Sequence, residues 1–220
     1  YPEGDTCHLY LLHPPGGIVG GDTLDISVHL EAKSHTLITM PGASKFYRSN
    51  GPQACLNQHF YLGKEATLEW LPQDTILFPG ANAALRSVFH LEASSTLLAW
   101  ELYCLGRPVI NETFSHGTLE SRLEVWVDGE PRLIERQHLS DGNLASVAGL
   151  PWVGTLLFYP TTENHLEVVR ERLAPLHTFA GATLTEGLLS VRFLSHDNLI
   201  CQRVMRSEEH TSELQSRSDL

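Results

Sequence analysis

The sequence predicts a mostly β fold: stacked strands of the β-helix type in one domain, with one or two α-helices against them. Apolar and polar residues alternate in segments such as TLDISVHL at 23–30, and a period of two is typical of half-buried strands. Turns rich in Gly, Pro and Asn separate these segments, and no linker divides the chain. Three segments also superpose as strand, short turn and strand, which are VHLEAKSHTLITMP (28–41), FYLGKEATLEWLP (60–72) and FHLEASSTLLAWE (89–101). This makes Leu30, Leu62 and Leu91 equivalent, as in stacked units that bury a shared face.

A glycine-rich loop, HPPGGIVGGD at 13–22, leads into the first of these strands. It is not a phosphate-binding P-loop, because Asp22 rather than lysine follows its last glycine, and the segment after it is a strand rather than a helix. We expect the glycines to allow tight backbone turns, with a positive φ at Gly20 that would make valine damaging there. Asp22 either caps the amides of its own loop or lines a passage for a cation, and the first role is favoured.

A hairpin and a fully buried strand are predicted after the repeats. Asp128-Gly129 stands between alternating arms, which is a strong turn signal for a β-hairpin. The continuous apolar run GTLLFYP at 154–160 predicts a strand that is covered on both faces. The strand pattern resumes at 187–205, with a turn at 196–198.

One helix is predicted clearly and a second one weakly. Asn164 can cap the first helix, which ends near Pro175. Its apolar residues recur at helical spacing and are Leu166, Val169 and Leu173. The small residues of DGNLASVAGL predict a second helix within 141–150.

Composition excludes several classes of function. The 220 residues carry a net charge of −11, which argues against a nucleic-acid partner. No apolar run approaches the roughly 20 residues of a membrane helix, and there is no signal segment. Four widely spaced cysteines form neither a zinc motif nor a dense disulfide framework. We therefore predict a cytoplasmic protein with no membrane partner.

Both termini are predicted to be incomplete, and the domain is placed at residues 1–205. The chain opens at Tyr1 in the middle of a pattern. From Arg206 onward it is polar and without periodicity, and RSEEHTSELQS matches the translation of a common sequencing-library adapter. Residues 206–220 are therefore predicted to be a non-native tail and are set aside from the fold.

No catalytic site is predicted. The sequence has no G-x-S-x-G elbow and no combination of base, nucleophile and oxyanion donor. The twelve histidines form no zinc motif and are expected at the surface, although His29 and His35 could face each other across a turn. Charged residues do interrupt the apolar strands, and these are Lys45, Arg48, Glu69, Glu101, Arg107, Glu112 and Arg192. They either alternate on a solvated sheet face or form a polar interior path or a docking surface.

Four motifs in order along the chain closely resemble the UreD/UreH family of urease accessory proteins. They are HPPGGIVGGD (13–22), TMPGASKFYRS (39–49), EWLPQDTILFPGA (69–81) and WELYCLGRPVINETFSHG (100–117). The resemblance extends from about Tyr10 to Met205 by the strand pattern. The positions that match the family signature are His13, Pro14, Pro15, Gly16, Gly17, Gly20, Gly21, Asp22, Pro41, Gly42, Ala43, Lys45, Arg48, Glu69, Leu71, Pro72, Gly80, Ala81, Glu101, Gly106, Arg107, Phe114 and Gly117.

The resemblance implies a scaffold for urease maturation rather than an enzyme. Members of the family bind apo-urease and a UreF-type accessory protein, and through UreF they meet the UreG-type GTPase. The signature residues would then be scaffold or passage-lining groups for nickel in transit, with Asp22, Glu69 and Glu101 as candidate metal contacts and no permanently bound cofactor. The alternative is a stand-alone nickel-binding protein that stores or senses the metal through its histidines.

Overall fold

The computed structural model describes residues 6–13, 16–176 and 179–205, and its architecture is a two-sheet β-solenoid. Pro14, Pro15 and the predicted tail at 206–220 lie outside the described residues. The strands are β1 (Cys7–Tyr10), β2 (Thr23–Leu30), β3 (His35–Thr39), β4 (Ser44–Phe46), β5 (Ala54–Leu62), β6 (Thr67–Leu71), β7 (Thr75–Leu77), β8 (Asn82–Leu91), β9 (Thr96–Arg107), β10 (Glu112–Thr113), β11 (Thr118–Val127), β12 (Glu130–Ser140), β13 (Trp152–Tyr159), β14 (Phe179–Thr185) and β15 (Leu188–Ser195). The predicted mostly β, stacked architecture is confirmed.

The coils of the solenoid are the pairs β2–β3, β5–β6 and β8–β9. The first strand of each pair joins a five-stranded sheet with the order β12-β11-β8-β5-β2, in which β2, β5, β8 and β11 run parallel. The second strand joins a ten-stranded sheet with the order β1-β3-β6-β9-β13-β15-β14, with β4, β7 and β10 paired alongside. The chain therefore alternates between two facing sheets, which enclose the interior.

The predicted repeat corresponds to these coils. Leu30 pairs with Leu62, and Leu62 pairs with Leu91, so the three leucines stack in one buried row. The turn after each leucine carries the chain from one sheet to the other. His29 and His35 therefore lie on different sheets, and the expectation that they face each other across a hairpin is wrong.

Aromatic packing fills the interior between the first coils. Phe60 stacks on Phe89 with ring centroids 4.7 Å apart and planes 8° apart, and it contacts Trp70 at 4.8 Å. All three side chains are fully buried. Since large aromatic residues dominate the energetics of a core, this cluster ties neighbouring coils and both sheets together.

The hairpin and the buried strand are found as predicted. Asp128 and Gly129 have φ values of 51° and 81°, and they join β11 to β12 by the two-residue turn that such values favour. Strand β13 pairs with β9 on one side and β15 on the other, and it is almost wholly buried. This strand extends the larger sheet beyond the last coil.

The first helix, α1, spans Glu163–Leu173 and begins two residues earlier than predicted. Thr162 is its N-cap, and the Thr162 amide donates a 3.1 Å hydrogen bond to Nδ1 of His165. Asn164 lies exposed inside the first turn, so the predicted cap is wrong. The predicted apolar residues are all buried against the larger sheet, namely Leu166, Val169 and Leu173.

The second helix lies at a different place from the one predicted. Within 141–150 only a 3-10 turn, Ala145–Val147, is formed. Residues 198–205, for which the strand pattern suggested a strand, form helix α2, whose start is capped by Asp197 Oδ1 accepting the Leu199 amide at 2.8 Å. Cys201 and Val204 are fully buried, so the apolar pattern marks a helical face. Among the described residues, neither helix has the length and apolar character that a membrane crossing requires.

Candidate functional site

The glycine-rich loop joins the wall of the solenoid through Ile18. Ile18 pairs with Phe46, Phe46 pairs with Leu77, and Leu77 pairs with Leu105. These four residues therefore form one row across four neighbouring backbone segments. All four side chains are at most 2% exposed. The loop is thereby fixed as an extra layer of this wall.

Asp22 closes the turn that follows Ile18. Its carboxylate Oδ2 accepts the Val19 amide at 3.0 Å, and its own amide donates to the Val19 carbonyl at 3.0 Å. Gly21 has a φ of +95°, which this tight turn requires. Asp22 is exposed and bonds its own loop, as a capping role predicts.

Gly20 is required for a reason that differs from the predicted one. A positive φ is found at Gly16 and Gly21 but not at Gly20. A Cβ added at Gly20 would instead lie 2.2 Å from Oγ of Ser49 and 2.8 Å from the Pro52 carbonyl oxygen. The constraint at this position is therefore close approach of two backbone segments.

Other signature residues lie at separate places on the surface. The His13 carbonyl accepts the Gly16 amide at 3.1 Å, and the His13 side chain is exposed. Pro41 and Gly42 form an exposed bend, whereas Lys45 is half-buried on β4. Among the described residues, neither His13 nor Asp22 belongs to a group of His, Cys, Asp or Glu side chains that could hold a metal ion.

Two further signature residues support the loops beside β4. Gly17 is buried, and an added Cβ there would lie 2.2 Å from the ring of Tyr47. Arg48 forms an antiparallel bridge with Ala81 and is exposed. Gly17 and Arg48 therefore contribute to the packing and backbone pairing of these loops.

Pro72 and Arg107 lie at the ends of strands β6 and β9 of the larger sheet. The Pro72 carbonyl accepts a 2.8 Å hydrogen bond from Nε1 of Trp100. Arg107 is ion-paired with Glu112, and its guanidinium lies 4.8 Å from the centre of the Phe78 ring. The exposed Arg107 thus holds the short strand β10 against β9.

Glu69 lies on the outer face of the larger sheet. Nε2 of His35 is 2.6 Å from Oε1 of Glu69, and Nδ1 of His35 is 3.1 Å from Oγ1 of Thr6. The interior neighbours of Glu69 on the same strand, Leu68 and Trp70, point the opposite way into the core. Glu69 therefore does not line the interior.

Glu101 is the one candidate metal contact that points into the interior. Tyr103 donates a 2.7 Å hydrogen bond to Oε2 of Glu101, and Ser87, from the facing sheet, donates to Oε1. The same Ser87 hydroxyl lies 2.9 Å from Oε1 of Gln58. Burial raises the pKa of Glu101 above its usual range, although the bonds from Ser87 and Tyr103 oppose this, and nearby Glu135 adds to it.

Glu101 belongs to a polar layer that crosses both sheets. In the larger sheet, Glu101 pairs with Thr155, and Thr155 pairs with Arg192. In the smaller sheet, Gln58 pairs with Ser87. Leu123 pairs with both Ser87 and Glu135 and so lies between them in this row. We call the polar members of these two rows the polar layer, and they are Gln58, Ser87, Glu101, Glu135, Thr155 and Arg192. Apolar clusters lie on both sides of it.

The polar layer borders a cavity between the sheets. Arg192 Nε contacts both carboxylate oxygens of Glu135, at 2.9 and 3.0 Å, and so joins the two sheets. The cavity has a volume of about 580 Å³, and Glu101, Glu135 and Arg192 line it with Tyr103 and Ser121. Burial and the carboxylate of Glu101 raise the pKa of Tyr103 well above its usual value, so this phenol remains a neutral donor.

A second, much smaller cavity adjoins the other side of Glu101. Its volume is about 20 Å³, and its lining includes Gln58, Trp70 and Glu101. The indole Nε1 of Trp70 is buried there without a hydrogen-bond partner among the described residues. A space of this size holds about one water molecule, which the indole and the carboxylate could both bind. Glu101 is thus shared by two cavities.

The polar layer offers oxygen atoms as potential ligands but no converging metal site among the described residues. Its ligand atoms are carboxylates, an amide and hydroxyls, one carboxylate is already paired with arginine, and the described residues contain no group of three metal-ligating side chains. Burial raises the pKa values of Cys104 and Cys201 to about 12, so these thiols stay protonated and are poor ligands.

Four members of this site are not predicted from the sequence, namely Gln58, Ser87, Glu135 and Thr155. The available signal was a polar residue at an interior position of a strand: Gln58 stands between Leu56 and Phe60. Ser87 likewise is a polar residue at an interior-facing position of β8. Glu101 and Arg192 were singled out because the residues around them are apolar.

The fold and the site together define the class of protein, which is a two-sheet β-solenoid with a layer of charged side chains in its interior. Within that class, the sequence model of the UreD urease accessory protein family matches residues 1–214. The chain is 76% identical over 206 residues to urease accessory protein UreD of Enterobacter sp. (strain 638), covering 94% of this chain and 75% of that protein. UreD of Klebsiella aerogenes is 70% identical over 206 residues, with 94% and 76% covered, and UreD of Pseudomonas entomophila (strain L48) is 54% identical over 210 residues, with 96% and 76% covered.

The chain belongs to the UreD family of urease accessory proteins. The family membership that the four sequence motifs predict is therefore confirmed. The family is one of accessory proteins of urease, by name distinct from the enzyme itself.

Proposed function

We propose that this protein is a non-catalytic scaffold in urease maturation, which holds apo-urease and its accessory partners together while nickel passes through the solenoid interior. The single observation that carries the proposal is the position of Glu101 between two cavities. Nickel is here a cargo in transit, and no cofactor is bound permanently.

The polar layer supports transit better than storage. Nickel prefers imidazole, carboxylate and water ligands, and a resident site needs several of them converging on one point. Glu101 offers one carboxylate whose oxygens already accept bonds from Ser87 and Tyr103. A hydrated ion can exchange with these donors and leave again, which is what delivery requires.

The partners follow from the family. We infer that the protein binds apo-urease and a UreF-type protein, and that the UreG-type GTPase joins through UreF, in the cytoplasm. The net charge of −11 supports protein and cation partners rather than nucleic acid. Exposed apolar side chains at the loop Pro108–Ile110, where Val109 is 94% exposed, are suited to such contacts.

The test is a comparison of interior and outer carboxylates. Glu101→Gln and Glu69→Gln remove one negative charge each with little change of volume, in a strain that expresses urease with all its accessory proteins. We expect Glu101→Gln to lower the nickel content and activity of purified urease, with co-purification of urease and UreF unchanged, and Glu69→Gln to behave as wild type. Full nickel loading in Glu101→Gln, or equal loss in both variants, would contradict an interior route.

The alternative of a stand-alone nickel-binding protein has a separate test. Isothermal titration of the isolated chain with Ni²⁺ would then give tight, stoichiometric binding. On the proposed function we expect only weak binding, because the described residues offer no converging ligand set.

A further inference from the structure

The outer face of the five-stranded sheet carries an arginine on each of three adjacent strands. Arg86 of β8 pairs with Arg122 of β11, and Arg122 pairs with Arg136 of β12, while Asn57 of β5 continues the row. Neighbouring strands are about 4.8 Å apart, so the three guanidinium groups form one row. We call this set the arginine row. Like charges directly opposite one another destabilise a sheet, so the row needs a compensating charge.

That charge is supplied only in part by Glu124. Its carboxylate pairs with Arg122 and lies 3.5 Å from Nη2 of Arg86. The residue is buried, with 2% of its surface exposed. Burial would raise the pKa of Glu124, but the Trp126 indole and the two arginines outweigh this and lower it. A single fixed anion therefore pairs with two of the three guanidinium groups.

Arg136 is the member of the row that has no anion of its own. It is exposed on β12, and its side chain has no hydrogen bond or ion pair within the described part of the chain. A groove of about 450 Å³ runs along the row and is lined by Arg86, Arg122 and Arg136 with Asn57, Ala84 and His138. Of the three guanidinium groups in the groove, only that of Arg136 has no ion pair within the described residues, and Glu120 also lines the groove.

A row of flat rings lies on the same face, four residues further along the strands than the arginine row. Tyr61 stacks on His29 at 4.5 Å and 9°, and on His90 at 4.9 Å and 6°. Ile134, 48% exposed, lies next to the arginines on β12. Arginine and aromatic side chains with exposed apolar surface are the composition of protein-binding hot spots.

We propose that this outer face is a docking surface for an acidic segment of a partner protein. The chain as a whole carries a charge of −11, which repels acidic partners everywhere except at a local cluster of guanidinium groups. Guanidinium groups bind carboxylates bidentately, and the groove can hold an extended segment. A nucleic-acid strand is disfavoured because it needs basic contacts to many successive phosphates, and the groove offers only three arginines. This inference is independent of the interior route.

The probe is a fluorescein-labelled decapeptide of alternating glutamate and serine, titrated with the 220-residue chain by fluorescence anisotropy at low and high salt. A glutamine–serine peptide is the uncharged reference. We expect salt-sensitive binding of the acidic peptide, weakened about fivefold by Arg136→Gln and again by Arg122→Gln. Arg203→Gln, which removes an equal charge from the exposed side of α2, should change binding by less than about twofold.

Three results would overturn the docking surface. The first is an acidic peptide that does not bind the wild-type chain. The second is an equal loss of affinity in the Arg136 and Arg203 variants, which would mean a response to net charge alone. The third is a ten-nucleotide dT strand that binds more tightly than the peptide. Far-ultraviolet circular dichroism confirms that each variant is folded, and Arg136→Gln is at an exposed position where folding should be unaffected.

Discussion

The hydroxyl of Tyr103 donates a 2.7 Å hydrogen bond to Glu101, two residues earlier on the same interior face of β9. A period of two places both side chains between the sheets, where Ser87 donates to the other carboxylate oxygen. The carboxylate is thus held by neutral donors and not by a cation. It is in an environment that favours its protonated form, and an approaching cation would favour the ionised form.

Glu101→Gln should increase stability more at pH 7 than at pH 4. The raised pKa of Glu101 means that the folded state binds this proton more tightly than the unfolded state does. Stability is then highest below the ordinary glutamate pKa and falls as the pH rises toward the raised value. Glutamine removes that loss and keeps an oxygen for the Ser87 and Tyr103 hydroxyls.

The measurement is urea unfolding of wild type and variant at both pH values. Glu130→Gln, at an exposed position of the hairpin, is the matched control and should give the same difference from wild type at pH 4 and pH 7. If Glu101→Gln lowers the stability by the same amount at pH 7 and at pH 4, the pKa of the Glu101 carboxyl is not raised in the folded protein.

Gly20→Val should destabilise the fold by about 2 kcal/mol, since overpacking a close contact typically costs 1–3 kcal/mol. The added Cβ would collide with Ser49 and with the Pro52 carbonyl. Gly42→Ala is the control, because no atom lies within 4 Å of an added Cβ there and its φ is not positive. Thermal unfolding of both variants tests this; equal midpoints would mean that the approach at Gly20 is not restrictive.

Thr162→Ala should cost about 1 kcal/mol, the usual effect of removing an N-cap hydroxyl. Asn164→Ala should be neutral or slightly stabilising, since alanine is the better helix former inside a turn. Comparing the two variants therefore distinguishes the observed N-cap, Thr162, from the predicted N-cap, Asn164. Guanidinium unfolding measures both, and a larger loss in the Asn164 variant would move the cap to that residue.

The repeat was predictable because each coil uses the same local chemistry. Every copy places a leucine before a turn and alternates apolar residues after it, so Leu30, Leu62 and Leu91 reveal their pairing without any tertiary information. The Asp128-Gly129 turn is equally local, because positive φ values restrict the residues that it accepts.

The misplaced helix and the incomplete site have a common physical reason. Residues 198–205 are apolar at spacings that suit either a strand or one face of a short helix, and packing against the larger sheet decides between them. The polar layer depends on which residues of two sheets meet across the interior. Glu101 and Ser87 are 14 positions apart and lie on different sheets, so no local pattern joins them.

Arg192 and Glu135 should be coupled by about 0.5–1 kcal/mol in a double-mutant cycle, because Nε of Arg192 contacts both carboxylate oxygens but the pair is partly screened by solvent. The contact joins β15 to β12 and so holds the two sheets together beside the cavity. Arg192→Met, Glu135→Gln and the double variant give the cycle by urea unfolding. The exposed pair Lys33 and Glu65, 4.0 Å apart in a coil turn, is the reference and should show almost no coupling. If both pairs couple equally, the Arg192–Glu135 contact adds no more to stability than an ordinary surface pair.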